Sequence, residues 1–133
     1  MKILSIEGIG PVNAEKLSAI GVKTVEALLK EGATPKGRES LAEATGVSEK
    51  LILEWVNLAD LMRIKGIGEE YSDLLEEAGV DTVKELKHRN PDNLYKALIE
   101  INQKKKLVRR APTLKEVQKW IAEAAELPAA VTY

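Results

Sequence analysis

Residues Ile6 to Leu29 read IEGIGPVNAEKLSAIGVKTVEALL, and residues Ile64 to Lys87 read IKGIGEEYSDLLEEAGVDTVKELK. The second phrase begins 58 positions after the first, and Ile6/Ile64, Gly8/Gly66, Ile9/Ile67, Gly10/Gly68, Leu17/Leu75, Gly21/Gly79 and Val25/Val83 coincide. Further on the offset grows to 65, where SEKLILEWVNLA from Ser48 matches TLKEVQKWIAEA from Thr113 and Trp55 lies over Trp120. A solenoid needs at least three such repeats, so two copies predict a pseudo-symmetric pair sharing one core. The units expected are residues 1–62 and residues 63–133, the second with a C-terminal helix and tail.

Helix punctuation surrounds the repeated phrase. Thr34-Pro35 and Asn90-Pro91 each put a capping side chain before a proline suited to the first helical position. Thr82 to Glu85 and Thr113 to Glu116 have capping-box spacing. Gly21, Gly46 and Gly79 stand where helices should stop, each followed by valine. Leu51, Trp55, Leu58 and Met62 recur with helical period. Helices are predicted near 11–20, 25–31, 35–45, 49–62, 69–78, 83–89, 91–102 and 114–126, an all-α chain. KILSI and AAVTY at the two ends are β-flavoured; they would pair as a small ribbon or lie as extended flanks, and the flanks are the simpler reading.

Composition narrows the function classes. The 133 residues suffice for one hydrophobic core, built without Phe from Leu, Ile, Val and Ala around two Trp and three Tyr. The absence of Cys excludes disulfides, thiol catalysis and zinc–thiolate sites. No apolar run approaches the roughly 20 residues that cross a membrane, and no signal peptide precedes MKILSIEGIG, so the expected location is the cytoplasm. Net charge is only −1, but it is unevenly spread: Gly66 to Leu86 carries −6, and Lys87 to Arg110 carries +6.

GIG ahead of a helix has a definite physical meaning. Glycine opens backbone angles closed to other residues and leaves room for an approaching group. The helix behind it starts with unpaired N–H groups and a partial positive charge. Together these form a shallow anion seat, suited to one backbone phosphate and blind to base sequence. A dinucleotide-binding strand–turn–helix is a competing reading of MKILSIEGIGPVN. It fails because Asn13 replaces the third glycine and a helix, not a strand, precedes the second copy.

These features, with Ala14-x-x-Leu17 and Ser72-x-x-Leu75 behind the glycines, resemble the helix-hairpin-helix motif, and two copies resemble its tandem form. The motif itself covers under half of the chain. The chain as a whole resembles a family of small bacterial and archaeal proteins grouped as a domain of unknown function. The resemblance implies a grip on the sugar-phosphate backbone of DNA without sequence preference. It assigns the first seat to Gly8, Ile9 and Gly10, the N–H groups of Val12 and Asn13, and Lys16 one turn on; the second seat falls to Gly66, Ile67 and Gly68. Glu69, Glu70 and Asp73 crowd the second seat, and each would repel a phosphate by on the order of 1 kcal/mol. An asymmetric grip is therefore expected.

Lys104, Lys105, Lys106, Arg109 and Arg110, with Lys87, Arg89 and Lys96 nearby, form the electrostatic footprint for a polyanion. Their alternatives are pairing with the acidic segment beside them or, as is usual for a charge run, simply a solvated face. Trp55 and Trp120 read as core anchors, and the scarcity of aromatics near the basic stretch argues against base stacking. His88 lacks ligand partners, so no metal or cofactor is expected. No nucleophile, base and oxyanion donor come together, so the chain reads as non-enzymatic. The partner expected is DNA, with a protein partner as the alternative; the sequence leaves the oligomeric state open.

Overall fold

The computed structural model describes every residue from Met1 to Tyr133 and contains eight α-helices and no strand. They are α1 (Pro11–Ala19), α2 (Val25–Glu31), α3 (Pro35–Thr45), α4 (Glu49–Leu61), α5 (Glu69–Glu77), α6 (Val83–Leu86), α7 (Pro91–Lys105) and α8 (Leu114–Glu126). The starts follow the capping chemistry. Thr24, Thr34, Thr82, Asn90 and Thr113 each accept a backbone N–H from the third residue on, satisfying a donor that the helix itself leaves unpaired. Only Thr113 completes a reciprocal box with Glu116. At Thr82 the partner Glu85 instead reaches the Asp81 N–H, at 3.4 Å.

Three helices, α1, α4 and α5, end one residue before the expected bound, and two ends depart by three residues. α6 stops at Leu86, because His88 and Arg89 donate to Glu85 and Leu86 as tighter i−3 turns and Asn90 is held extended before Pro91. α7 runs on to Lys105, past the expected residue 102. Lys106 then takes a left-handed conformation (φ +51°) and its N–H closes on the Asn102 carbonyl at 2.8 Å. A lysine thus occupies the position usually given to glycine, which hides this helix end from a sequence reading.

The chain divides into two compact units, Met1–Asp60 with Ala130–Tyr133, and Leu61–Ala129. The boundary lies two residues before the expected one, and the last four residues group with the first unit. In the first unit α3 packs against α1 and α2, over buried Ala14, Leu17, Val25, Leu28 and Leu41. The chain ends do not form a ribbon with each other. Lys2 makes one isolated bridge to Thr24, and Ile3–Ser5 is a 3-10 turn. The tail is tied to the α2–α3 turn instead: Thr132 N–H donates to the Ala33 carbonyl at 2.8 Å. Arg38 donates to the Gly32 and Thr132 carbonyls at 2.8 and 2.7 Å, so its buried guanidinium has acceptors on both sides.

In the second unit α8 packs against α6 and α7, and α5 against α7. Leu74, Leu75, Val80, Leu86, Leu94, Leu98, Val117 and Trp120 form its core, and each buried aliphatic side chain contributes about 1.5–3 kcal/mol. The 3.6-residue spacing of Val117, Trp120 and Ala124 turns one face of α8 inward and leaves its charged face for solvent.

Candidate functional site

The two GIG turns have the same backbone construction. Gly8 and Gly66 adopt φ +90° and +92°, which an L side chain rarely tolerates. Ile9 and Ile67 then turn inward, and their N–H groups donate to the Ile6 and Ile64 carbonyls at 3.2 and 3.1 Å. Each turn rests on a tryptophan. A Cβ placed on Gly8 would lie 3.6 Å from Trp55 Nε1, and one on Gly66 would lie 3.4 Å from Trp120 Nε1. The core role expected for the tryptophans is therefore more particular: each forms the floor beneath one hairpin.

Gly10 and Gly68 are the N-caps of α1 and α5, extended in backbone and without any side-chain capping bond. A Cβ on either would meet nothing within 4 Å, so both face open space. Gly10 accepts from Ala14 N–H at 2.9 Å, which leaves the Val12 and Asn13 N–H groups at the exposed start of α1. Pro11 at the first helical position has no N–H to satisfy. Val12 is 67% exposed beside this seat. Lys16 is exposed but lies in the last turn of α1, toward the other end of the helix.

The second turn has the same construction but carries acids that the first lacks. No acid stands in the first turn of α1, whereas Glu69 and Glu70 stand in that of α5. A further carboxylate arrives from α8, where Glu123 accepts the Lys65 N–H at 3.2 and 3.4 Å. The offset of 65 puts Leu58 at the matching place in the first unit, so this acid belongs to one copy only.

The basic stretch comes to the second hairpin. Lys105 Nζ lies 2.6 Å from Glu77, and Arg109 Nε lies 3.7 Å from Glu70. Lys104 pairs with Glu100 one turn back at 3.3 Å. Arg110 holds Glu116 with two bonds of 2.9 Å. That bidentate pair, helped by the Thr113 N–H, lowers the Glu116 carboxyl to about 2. Lys106, left-handed and exposed, stands outside these pairs. Tyr71 fastens the arrangement: its O–H donates to the Arg110 carbonyl at 2.8 Å and its ring sits 5.1 Å from that of Trp120. Partial burial pushes the Tyr71 phenol up, so it remains a donor at neutral pH.

From the sequence, Tyr71 reads at most as a cap on a neighbouring helix, with no role shared by the two copies, and Glu123 has no role at all. The polar Asn13 at the position matching Tyr71 concealed the first, and the growing offset concealed the second. No group of three or more His, Asp or Glu side chains is arranged to hold a metal ion. No helix is long and apolar enough to cross a membrane. No solved structure matches the chain. The family model described as a domain of unknown function, DUF4332, matches residues 7–127, nearly the whole chain, and the protein belongs to that family.

Proposed function

We propose that this protein makes a weak, sequence-independent contact with the phosphate backbone of nucleic acid, principally through its first GIG hairpin, without catalysis. The reading treats the two units as a tandem helix-hairpin-helix pair. One observation carries it: the start of α1 is exposed, lacks a side-chain cap and has no acid in its first turn. Free N–H groups and the positive end of the helix then converge where a phosphate oxygen can sit. The second hairpin, with carboxylates at the same place, contributes little.

The test is a titration of the full chain against duplex and single-stranded DNA at several salt concentrations. The expected result is a linear fall of log K with log salt, with a slope of about −2 to −3 because few phosphates are neutralised. Reversing Lys104, Lys105 and Lys106 to Glu should weaken binding more than changing Gly68. Absence of binding even at low salt would end this reading.

A protein-interaction module that retains the hairpins without using them for phosphate is the second reading. Two observations favour it: Lys105 and Arg109 are engaged by α5, and Val12 exposes an apolar side chain at the first seat. Charging Val12 separates the two. Val12→Lys should strengthen a phosphate contact and weaken an apolar protein contact.

A further inference from the structure

The second unit contains both members of an electrostatic pair in one fold. α5 presents Glu70 and Glu77 seven residues apart, about 10 Å along the helix axis. The end of α7 and the loop behind it bring Lys105 to Glu77 and Arg109 to Glu70. The loop is built to hold that approach. Asn102 receives the Lys106 N–H on its carbonyl and the Val108 N–H on its side chain, at 2.8 and 3.0 Å, and Tyr71 of α5 grips the Arg110 carbonyl. The backbone is thus fixed by hydrogen bonds, while the ion pairs are solvent-facing: the side chains of Lys105 and Glu77 are 55% and 36% exposed, and those of Arg109 and Glu70 are 95% and 50% exposed.

This division matters. Exposed ion pairs are individually weak and are screened by salt, so the cations can change partner without the loop unfolding.

We infer that the acidic face of α5 is an internal stand-in for a phosphodiester backbone: it occupies the Lys105–Arg109 surface, and nucleic acid engages that surface by exchanging with Glu70 and Glu77. This inference rests on the nucleic-acid reading above and adds a control to it. Contact through the first hairpin is available at once. Contact through the basic loop requires displacement of α5 carboxylates, so a short or weakly charged ligand leaves the loop closed and an extended polyanion opens it. The acids of the second hairpin then limit binding, and they set the charge density a ligand must have.

The experiment compares three full-length proteins by the anisotropy of a short labelled DNA duplex, between about 50 and 200 mM salt. They are the wild type, Glu70→Gln/Glu77→Gln, and a control, Asp92→Asn/Glu126→Gln, which removes the same charge from exposed positions outside these pairs. All four sites are on the surface, and circular dichroism verifies that the fold is kept. Exchange predicts that Glu70→Gln/Glu77→Gln binds about five- to tenfold more tightly at the lowest salt. The slope of log K against log salt should also steepen by about one to two, one for each cation freed to meet a phosphate. The control should gain no more than about twofold, the effect of net charge alone. Lysine acetylation without DNA supplies a second readout. Lys105 should react more slowly than Lys106 in the wild type and should match it in Glu77→Gln. If the wild type binds DNA but both double variants gain equally, exchange is overturned and the first-hairpin contact survives. Equal reactivity of Lys105 and Lys106 in the wild type overturns it as well. If none of the three binds at about 50 mM salt, the nucleic-acid reading and the exchange fall together.

Discussion

The two hairpins of this protein share a backbone and differ in charge. Both turn on a positive-φ glycine seated on a tryptophan, bury the following isoleucine and leave the next glycine as an uncapped helix start. The first continues with Pro11, Val12 and Asn13, and the second with Glu69, Glu70 and Tyr71. Construction is therefore separable from use. The glycines and tryptophans make the turn whichever residues follow, and those following residues decide what the turn can meet. Identical perturbations of the two hairpins can break this comparison or sharpen it.

The tryptophans should give the largest effect. Trp55→Ala and Trp120→Ala each remove a floor that is almost fully buried, and each should cost about 3–5 kcal/mol in urea unfolding. Similar losses would mark them as equivalent supports, whereas a much smaller loss at one would break the comparison. Trp55→Phe should be milder, because the Trp55 Nε1–H is buried without an acceptor and its removal abandons no hydrogen bond.

The glycines come next. Gly8→Ala and Gly66→Ala force an alanine to φ near +90° above an indole edge, and each should destabilise by about 1–2 kcal/mol. Gly10→Ala and Gly68→Ala, with ordinary negative φ and open space around the added methyl, should change stability far less. Equal outcomes for all four would mean that the positive-φ positions carry no special constraint.

Exchanging the residues after the turn tests the difference rather than the likeness. Pro11→Glu/Val12→Glu gives the first hairpin the acids of the second and should reduce DNA affinity about tenfold at low salt, with little change in stability. Glu69→Pro/Glu70→Val, the reciprocal exchange, should raise affinity by a smaller factor, because Glu123 still occupies the Lys65 N–H. An equal rise and fall would mean that first-turn charge alone governs the contact.

How legible this contrast is in the sequence depends on the range of the interaction. All eight helices follow from capping residues, glycines and apolar period, because those signals act within a turn or two. The departures arise where a residue takes another's usual place, as Lys106 does at the end of α7. The GIG residues and the acids after them are legible for the same local reason. The partners of the basic stretch are not: Lys105 meets Glu77 across 28 residues, and Lys65 meets Glu123 across 58. Charge counting announced that opposite segments lie close in the chain. It could not say which cation faces which carboxylate, nor that Arg110 turns from α5 to Glu116. The Arg38 contacts with the tail, 94 residues away, had no local sign at all.

The smallest expected effect follows from Glu116, and it too separates the units. Its carboxyl is lowered to about 2 by the Arg110 guanidinium and then by the Thr113 N–H, against about 4.3 in an unfolded chain. A folded-state value below the unfolded one means the contribution is complete above about pH 5 and is lost as pH falls toward 2. The matching position in the first unit is Leu51, so the first unit has no such dependence there. Because water screens the pair, the loss should amount to a fall of about 0.5 M or less in the urea midpoint between pH 5 and pH 2, beyond that shown by Glu116→Gln. Hydrogen exchange should place that acid-sensitive opening at the start of α8. An equal opening at the start of α4 would show that acid weakens both units by another route.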